Sequence, residues 1–181
     1  EEQSQYINGV TQINGYTEFE QPQVIENQDM AQLGYSDIRA YEIENAGELA
    51  WFVQHFYAGD LETQNVSLAD NIDMSALAAY SWTPLGYYNV ETQTGKSYDG
   101  VFDGNGYSIS NIILNQINGV DLVSKVSEEQ AAVLGTQPIE NIAQNALAGV
   151  FGYIGSAGHV TELKLENTSI TSNADAGVLT G

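Results

Sequence analysis

Ala148-Gly149-Val150-Phe151-Gly152 and, 28 residues later, Ala176-Gly177-Val178-Leu179 open two copies of one segment. A unit that restarts at a fixed interval marks a stacked repeat architecture, in which each unit buries its apolar face against a neighbour. The restart predicts an all-β chain of stacked coils, a β-solenoid whose stability comes mainly from contacts between successive units. Such architectures mostly bind, space or display. The second copy runs into the last residue, Gly181, so the expectation is one elongated domain truncated at its C-terminal end.

Working outward, a second alignment sets Ile109, Ile112 and Leu114 against Val160, Leu163 and Leu165, all at an offset of 51 residues. In the later copy Glu162, Lys164 and Glu166 interleave with the leucines, the period-two alternation of a strand with one buried face. An offset this far beyond the 28-residue interval requires an insertion of about one coil, and residues 118–147 supply it. Within it, Ser127-Glu128-Glu129-Gln130 is a capping-box pattern followed by Ala131-Ala132-Val133-Leu134, which predicts a short helical insertion near residues 127–134. Upstream, Asn45-Ala46-Gly47-Glu48 is another such pattern, and Leu49, Phe52, Val53 and Phe56 fall on one helical face. A capping α-helix is therefore expected near residues 45–58, covering an open coil end. Asp103-Gly104-Asn105-Gly106 reads as a tight corner. Residues 1–40 are Gln/Asn-rich, with Asn-Gly turn signals at Ile7-Asn8-Gly9-Val10 and Ile13-Asn14-Gly15-Tyr16, and read as an irregular N-terminal β segment.

Charge sets the limits on partners. The 181 residues hold 24 acidic and four basic side chains (Arg39, Lys96, Lys125, Lys164), a formal net charge of −20. Such a surface repels phosphate backbones and anionic lipids, so neither nucleic acid nor membrane insertion is expected. Cysteine is absent, which removes disulfides, thiolate metal sites and a thiol nucleophile. No apolar run approaches the roughly 20 residues that span a bilayer.

The segments together resemble the GLUG-motif proteins, repeat proteins of bacterial secreted and cell-surface molecules named for a Gly-Leu-aromatic-Gly core. Gly149-Val150-Phe151-Gly152 is similar to that core with Val for Leu, and His159 to Asn167 is similar to the strand that follows it. Glu48-Leu49-Ala50-Trp51, Asn71-Ile72-Asp73-Met74, Trp82-Thr83-Pro84-Leu85-Gly86 and Phe102 to Ile109 precede it in the family's order, so the resemblance covers residues 41–181. It implies a right-handed parallel β-helix, export, and a non-catalytic structural or binding role in an adhesin-like protein at the cell surface. The motif also occurs in the non-catalytic part of IgA-cleaving metallopeptidases, which leaves an accessory region of a secreted peptidase as an alternative. The implied partners are an extracellular glycan or protein and adjoining repeats of the same full-length chain.

The chemistry-bearing residues are few. His55 and His159 stand in no metal-ligand spacing. Asp99 and Asp103 flank Gly100-Val101-Phe102 and are the pair a β-helical glycoside hydrolase would need; the competing reading is that Asp103 starts the turn that follows it. A lyase acting on acidic sugars needs clustered Lys or Arg, and four scattered basic residues do not provide it. No cofactor is expected. Hard oxygen ligands for calcium would come from Asp70, Asp73, Asp99, Asp103 and Asn105, with solvation as the competing use of these acids. Tyr87, Tyr88, Tyr98 and Tyr107 are candidates for stacking on sugar rings, against an alternative of coil-corner packing.

Overall fold

The structure is a computed structural model, and it describes residues 5–13, 16–59, 61–120, 122, 147–173 and 175–180. The chain begins with an antiparallel meander of β1 (Gln5–Ile7), β2 (Val10–Ile13) and β3 (Tyr16–Phe19). The turn between β1 and β2 is Asn8-Gly9, with φ of 50° and 75°, the left-handed pair that Asn-Gly adopts at little steric cost in a tight hairpin. β4 (Gln23–Glu26) and β5 (Arg39–Ile43) then pair antiparallel around α1 (Gln28–Gln32).

α2 spans Ala46–Ala58. Asn45 caps it, its Oδ1 accepting the Glu48 N–H at 2.9 Å, and Glu48 Oε2 accepts the Glu44 N–H at 2.6 Å. This is the reciprocal exchange that the Asn-x-x-Glu spacing encodes. Leu49, Phe52, Val53 and Phe56 are all buried to within 1% of full coverage. The helix start abuts the first hairpin: Gly47 N–H donates to Asn8 O at 2.8 Å, and a Cβ on Gly47 would lie 1.9 Å from Gly9 O. No side chain fits there, which gives the Gly of the capping sequence a packing reason.

After α2 the strands shorten and the pairing becomes parallel. β6 (Asn65–Leu68) lies between β5 and β10 (Val101–Asp103), and β13 (His159–Thr161) adds to β10. β11 (Ser108–Ser110) lies between β7 (Ile72–Asp73) and β14 (Lys164–Glu166), and β12 (Ile113–Asn115) pairs with β15 (Ser169–Thr171). β8 (Tyr87–Asn89) and β9 (Thr94–Lys96) form an antiparallel hairpin. A 3₁₀ turn follows β7 at Met74–Leu77.

This corrects the expected right-handed parallel β-helix. Among the described residues the strands fall into five small sheets of two to five strands. Two of these sheets are antiparallel and one is mixed, with β4 antiparallel on an otherwise parallel set. None of the five closes on itself. The physical reason lies in the turns that send the chain back on itself: the Asn8-Gly9 turn and the links between β4 and β5 and between β8 and β9 give antiparallel pairs. Asn105, Asn111, Glu162 and Asn167, with φ between 49° and 61°, end the three-residue strands of the parallel rows. The hairpin β8–β9 adds antiparallel pairing where stacked coils would keep all strands parallel.

The repeat register is also corrected. Phe102 pairs with Val160, 58 residues on, and Ile109 pairs with Leu165 and Leu114 with Ile170, both 56 residues on, so the 51-residue offset does not occur in the ladders. The 28-residue restart does have a structural counterpart: Ala148 and Ala176 form a parallel bridge. The helix expected near 127–134, and most of the 118–147 insertion, lie outside the described residues.

The larger of two core clusters among the described residues joins these parts, the smaller being Met30, Ala40 and Val101. Phe52 and Phe56 of α2 meet the edge of the Tyr98 ring, each at 6.3 Å, and Phe151 lies 5.1 Å from Phe102. All five rings are at most 1% exposed, and full burial of a Phe contributes about 1.5–3 kcal/mol.

Candidate functional site

The GLUG-like segment is held from both sides. Val150 O accepts the Leu85 N–H at 3.0 Å and the Trp82 Nε1–H at 3.0 Å, while Phe151 N–H donates to Leu179 O at 2.9 Å. Gly152 N–H donates to Leu85 O at 3.1 Å, and a Cβ on Gly152 would lie 2.4 Å from Gly86 O. Val150 and Phe151 are 2% and 0% exposed. The segment is thus a structural rung that stacks on Leu85, and it presents no chemistry to solvent.

The acidic candidates are distributed rather than gathered. Asp103 is 5% exposed, and its Oδ1 accepts the Asn105 N–H at 2.8 Å, so it initiates the turn that follows. Asn105 Nδ2 reaches Leu68 O at 3.4 Å. Asp99 is half-buried; Ser97 Oγ–H donates to its Oδ2 at 2.5 Å and Ala157 N–H to its Oδ1 at 3.2 Å, and Gly155 packs against the carboxylate. Asp70 accepts the Asn71 N–H at 2.7 Å. Asp73 accepts the Ser75 N–H at 2.9 Å and the Asn111 Nδ2–H at 2.8 Å. The Asn111 bond, then the Ser75 bonds, hold its carboxyl below the usual aspartate range. Among the described residues no group of three or more His, Cys, Asp or Glu is placed to hold a metal ion.

Asn111 links the acids to a ladder. It accepts the Asn167 Nδ2–H at 2.6 Å while donating to Asp73, so Asp73, Asn111 and Asn167 form a continuous line across three successive rows. The sequence analysis missed Asn111 and Asn167. The signal that finds them is a polar residue followed by Asn at the end of each strand, Ser110-Asn111 and Glu166-Asn167.

The tyrosines separate by depth. Tyr98 is fully buried, its hydroxyl donating to Gln64 O at 2.9 Å, and burial raises its pKa. Tyr87 and Tyr107 are half-buried and pack on the core, Tyr87 lying 6.0 Å from Tyr57. Tyr88 meets Tyr153 edge-to-face at 5.6 Å, and Tyr153 is 40% exposed. These two rings form an aromatic pair at the surface beside the β8–β9 hairpin. Tyr153 was not a sequence candidate, although it follows the GLUG-like core directly.

Of the histidines, His55 lies on α2, stacked on Trp51 at 3.8 Å with 18° between planes. Its Nδ1 is 2.8 Å from Trp51 O, and a carbonyl oxygen can only accept, so Nδ1 carries the proton in the neutral ring. Burial lowers the His55 pKa. His159 opens β13 and meets the Tyr35 ring at 5.7 Å. Their different settings do not form a common site.

Comparison with known proteins adds one relative. A segment of halomucin from Haloquadratum walsbyi (strain DSM 16790 / HBSQ001) is 28% identical to this chain over 143 residues. The match covers 78% of this chain and 1% of halomucin. The likeness is compatible with a structural role at a cell surface, and it leaves the GLUG resemblance as it stood. No family model matches the chain, and no solved structure matches it. Among the described residues no helix is long and apolar enough to cross a membrane.

Proposed function

We propose that this chain is a non-catalytic structural and binding segment of an exported surface protein of the GLUG-motif kind. The observation that supports the surface role is the likeness to a segment of halomucin across 78% of the chain; the GLUG assignment rests on the sequence motifs alone. The chemistry of the side chains supports it. Asp99 and Asp103 are each committed to local hydrogen bonds, and the Gly149–Gly152 segment is a buried rung. A net charge of −20 keeps such a surface solvated and self-repelling. Contact with an extracellular glycan or protein falls to the Tyr88–Tyr153 pair, since aromatic rings at a surface supply apolar area with little loss of side-chain freedom.

The test is where the protein sits. An antiserum against this chain should label intact source cells, and protease added outside should remove the label while a cytosolic marker survives. Labelling that appears only after lysis would overturn the reading.

A further inference from the structure

The pattern Asn-x-Ser/Thr occurs twice, at Asn65-Val66-Ser67 and Asn167-Thr168-Ser169. It is the acceptor pattern for N-linked sugars on exported chains, and it can act only where the amide and the hydroxyl both reach solvent. The first copy is closed. Asn65 is 7% exposed; its Nδ2 donates to Asp37 O at 3.0 Å and to Arg39 O at 3.1 Å, and its Oδ1 accepts the Val101 N–H at 2.9 Å. Ser67 is 5% exposed, and its Oγ accepts the Asn27 Nδ2–H at 3.1 Å. A sugar on Asn65 would have to displace one of the two Nδ2 bonds inside the five-stranded sheet, so the fold and a glycan there exclude each other.

The second copy is open. Asn167 and Ser169 are exposed, and the Thr168 hydroxyl between them is buried, so the amide and the hydroxyl of the pattern lie outside together. The two Nδ2 hydrogens of Asn167 have one partner among the described residues, Asn111 Oδ1 at 2.6 Å. An N-glycoside replaces one amide hydrogen and keeps the other, so the Asp73–Asn111–Asn167 line can persist beside a sugar. Reach to solvent at these corners does not come from a missing neighbour. Asn105 and Asn111 stand at the two ends of β11, which has β7 on one side and β14 on the other. Asn105 is nevertheless exposed and Asn111 half-open, and the Asn111–Asp73 bond lies at the surface. The left-handed corners therefore project sideways from rows that are covered above and below.

We propose that Asn167 is an N-glycosylation site and that Asn65, despite the same pattern, is not. The proposal rests on the surface reading above, since sugars carried on membrane lipids are transferred to chains that have left the cytoplasm. In the transfer, Asn167 Nδ2 attacks the anomeric carbon of a sugar chain carried on a polyprenyl phosphate. The C1–N bond forms as the C1–O bond to phosphate breaks; the lipid phosphate leaves with the bonding pair, and Nδ2 gives up one proton. Nothing is oxidised or reduced. The hydroxyl of Ser169 is the second group that the transferring enzyme of the source cell reads.

Mass spectrometry of the protein isolated from its source cells tests this. Trypsin separates the two sites, because Arg39 and Lys96 bound the stretch that holds Asn65, and Asn167 follows Lys164. The Asn167 peptide should carry a mass increment of whole sugar residues, localised to the Asn by electron-transfer fragmentation, and the Asn65 peptide should be bare. Ser169→Ala keeps Asn167 and its bond to Asn111 and should lose the sugar, while Ser169→Thr should retain it. A merely structural role for Ser169 would not separate these two variants by glycan. Sugar on Asn65, sugar localised to a hydroxyl instead of Asn167, or sugar that survives Ser169→Ala would overturn the proposal. A chain labelled on intact cells yet bare at Asn167 would overturn it alone, whereas a bare chain labelled only after lysis would overturn the surface reading as well.

Discussion

Replacing Lys96 by Met keeps the aliphatic stem and removes the ammonium that closes α2. Lys96 Nζ donates to Phe56 O at 2.5 Å and to Gly59 O at 2.7 Å, lies 4.8 Å over the Phe56 ring, and is 3.5 Å from Glu62 Oε2. The last carbonyls of a helix have no partner within the helix, and the negative end of its dipole favours a cation. A hydrogen bond to a charged group is worth about 1.5–3 kcal/mol and the dipole term about 0.3–1 kcal/mol. The side chain is 25% exposed and both bonds come from one ammonium, so the terms do not add fully. A loss of about 3 kcal/mol is expected for Lys96→Met, or roughly 6–12 °C in midpoint for a chain of this size. Urea unfolding followed at 222 nm gives the free energy, and a thermal scan gives the midpoint. Glu62→Gln is the control. Among the described residues Glu62 Oε2 has no hydrogen-bond partner, so losing its charge should cost no more than about 1 kcal/mol. A Lys96→Met variant within about 0.5 kcal/mol of wild type would refute the reasoning, as would a Glu62→Gln cost equal to that of Lys96→Met.

Two further predictions concern titrating groups. Burial, with the neighbouring Glu20 and Glu44 charges adding to it, raises the Glu48 pKa despite the N–H bonds it accepts. A raised carboxyl costs stability above its folded pKa and stops costing it below the unfolded value of 4.5. Glu48→Gln, which keeps the capping acceptor, should match or exceed wild-type stability at pH 7, and the gain should vanish by about pH 4 in urea titrations; a Gln variant less stable at pH 7 would contradict this. Asp73 titrates in the opposite sense. Its lowered pKa contributes stability above the unfolded value of 3.8 and loses it as pH falls through the folded value. Asn111→Gly, which keeps the positive φ and removes the amide, should cost about 1 kcal/mol at pH 7 and progressively less below about pH 3.8; a cost independent of pH would mean the Asn111–Asp73 bond is not the cause.

The parts of the fold legible in the sequence were those set by local chemistry. Asn45, Glu48 and the apolar face of α2 lie within one helix and report themselves, and Asp103-Gly104-Asn105-Gly106 makes its turn from its own side chains. The row register was not legible from apolar spacing. Ile109, Ile112 and Leu114 match Val160, Leu163 and Leu165 in pattern, but a period-two pattern fits several registers equally well. The structure selects the register through its left-handed corners: Asn111 stacks on Asn167, which forces Ile109 onto Leu165. An alignment anchored on those asparagines would have found it. The β8–β9 hairpin was missed although Asn89 Oδ1 accepts the Glu91 and Thr92 N–H groups, because the left-handed position of its turn falls on Gln93 at φ 55° rather than on Gly or Asn. The candidate site was legible only in part for a related reason. A tyrosine in a β-rich chain has the same signature whether it fills the core, as Tyr98 does, or leans on a neighbour at the surface, as Tyr88 does on Tyr153.

The engagement of Lys96 with the end of α2 also bears on how the protein meets amine-directed chemistry and trypsin-like proteases. The chain has three lysines and one arginine in 181 residues, and at Lys96 the nitrogen that a protease pocket or an acylating reagent must reach is already bonded to two carbonyls. Among the described residues, Arg39 and Lys164 are left as exposed basic side chains. Digestive enzymes that read positive charge therefore find few footholds while α2 holds its last turn, and acylation at Lys96 becomes a reporter of that turn coming loose.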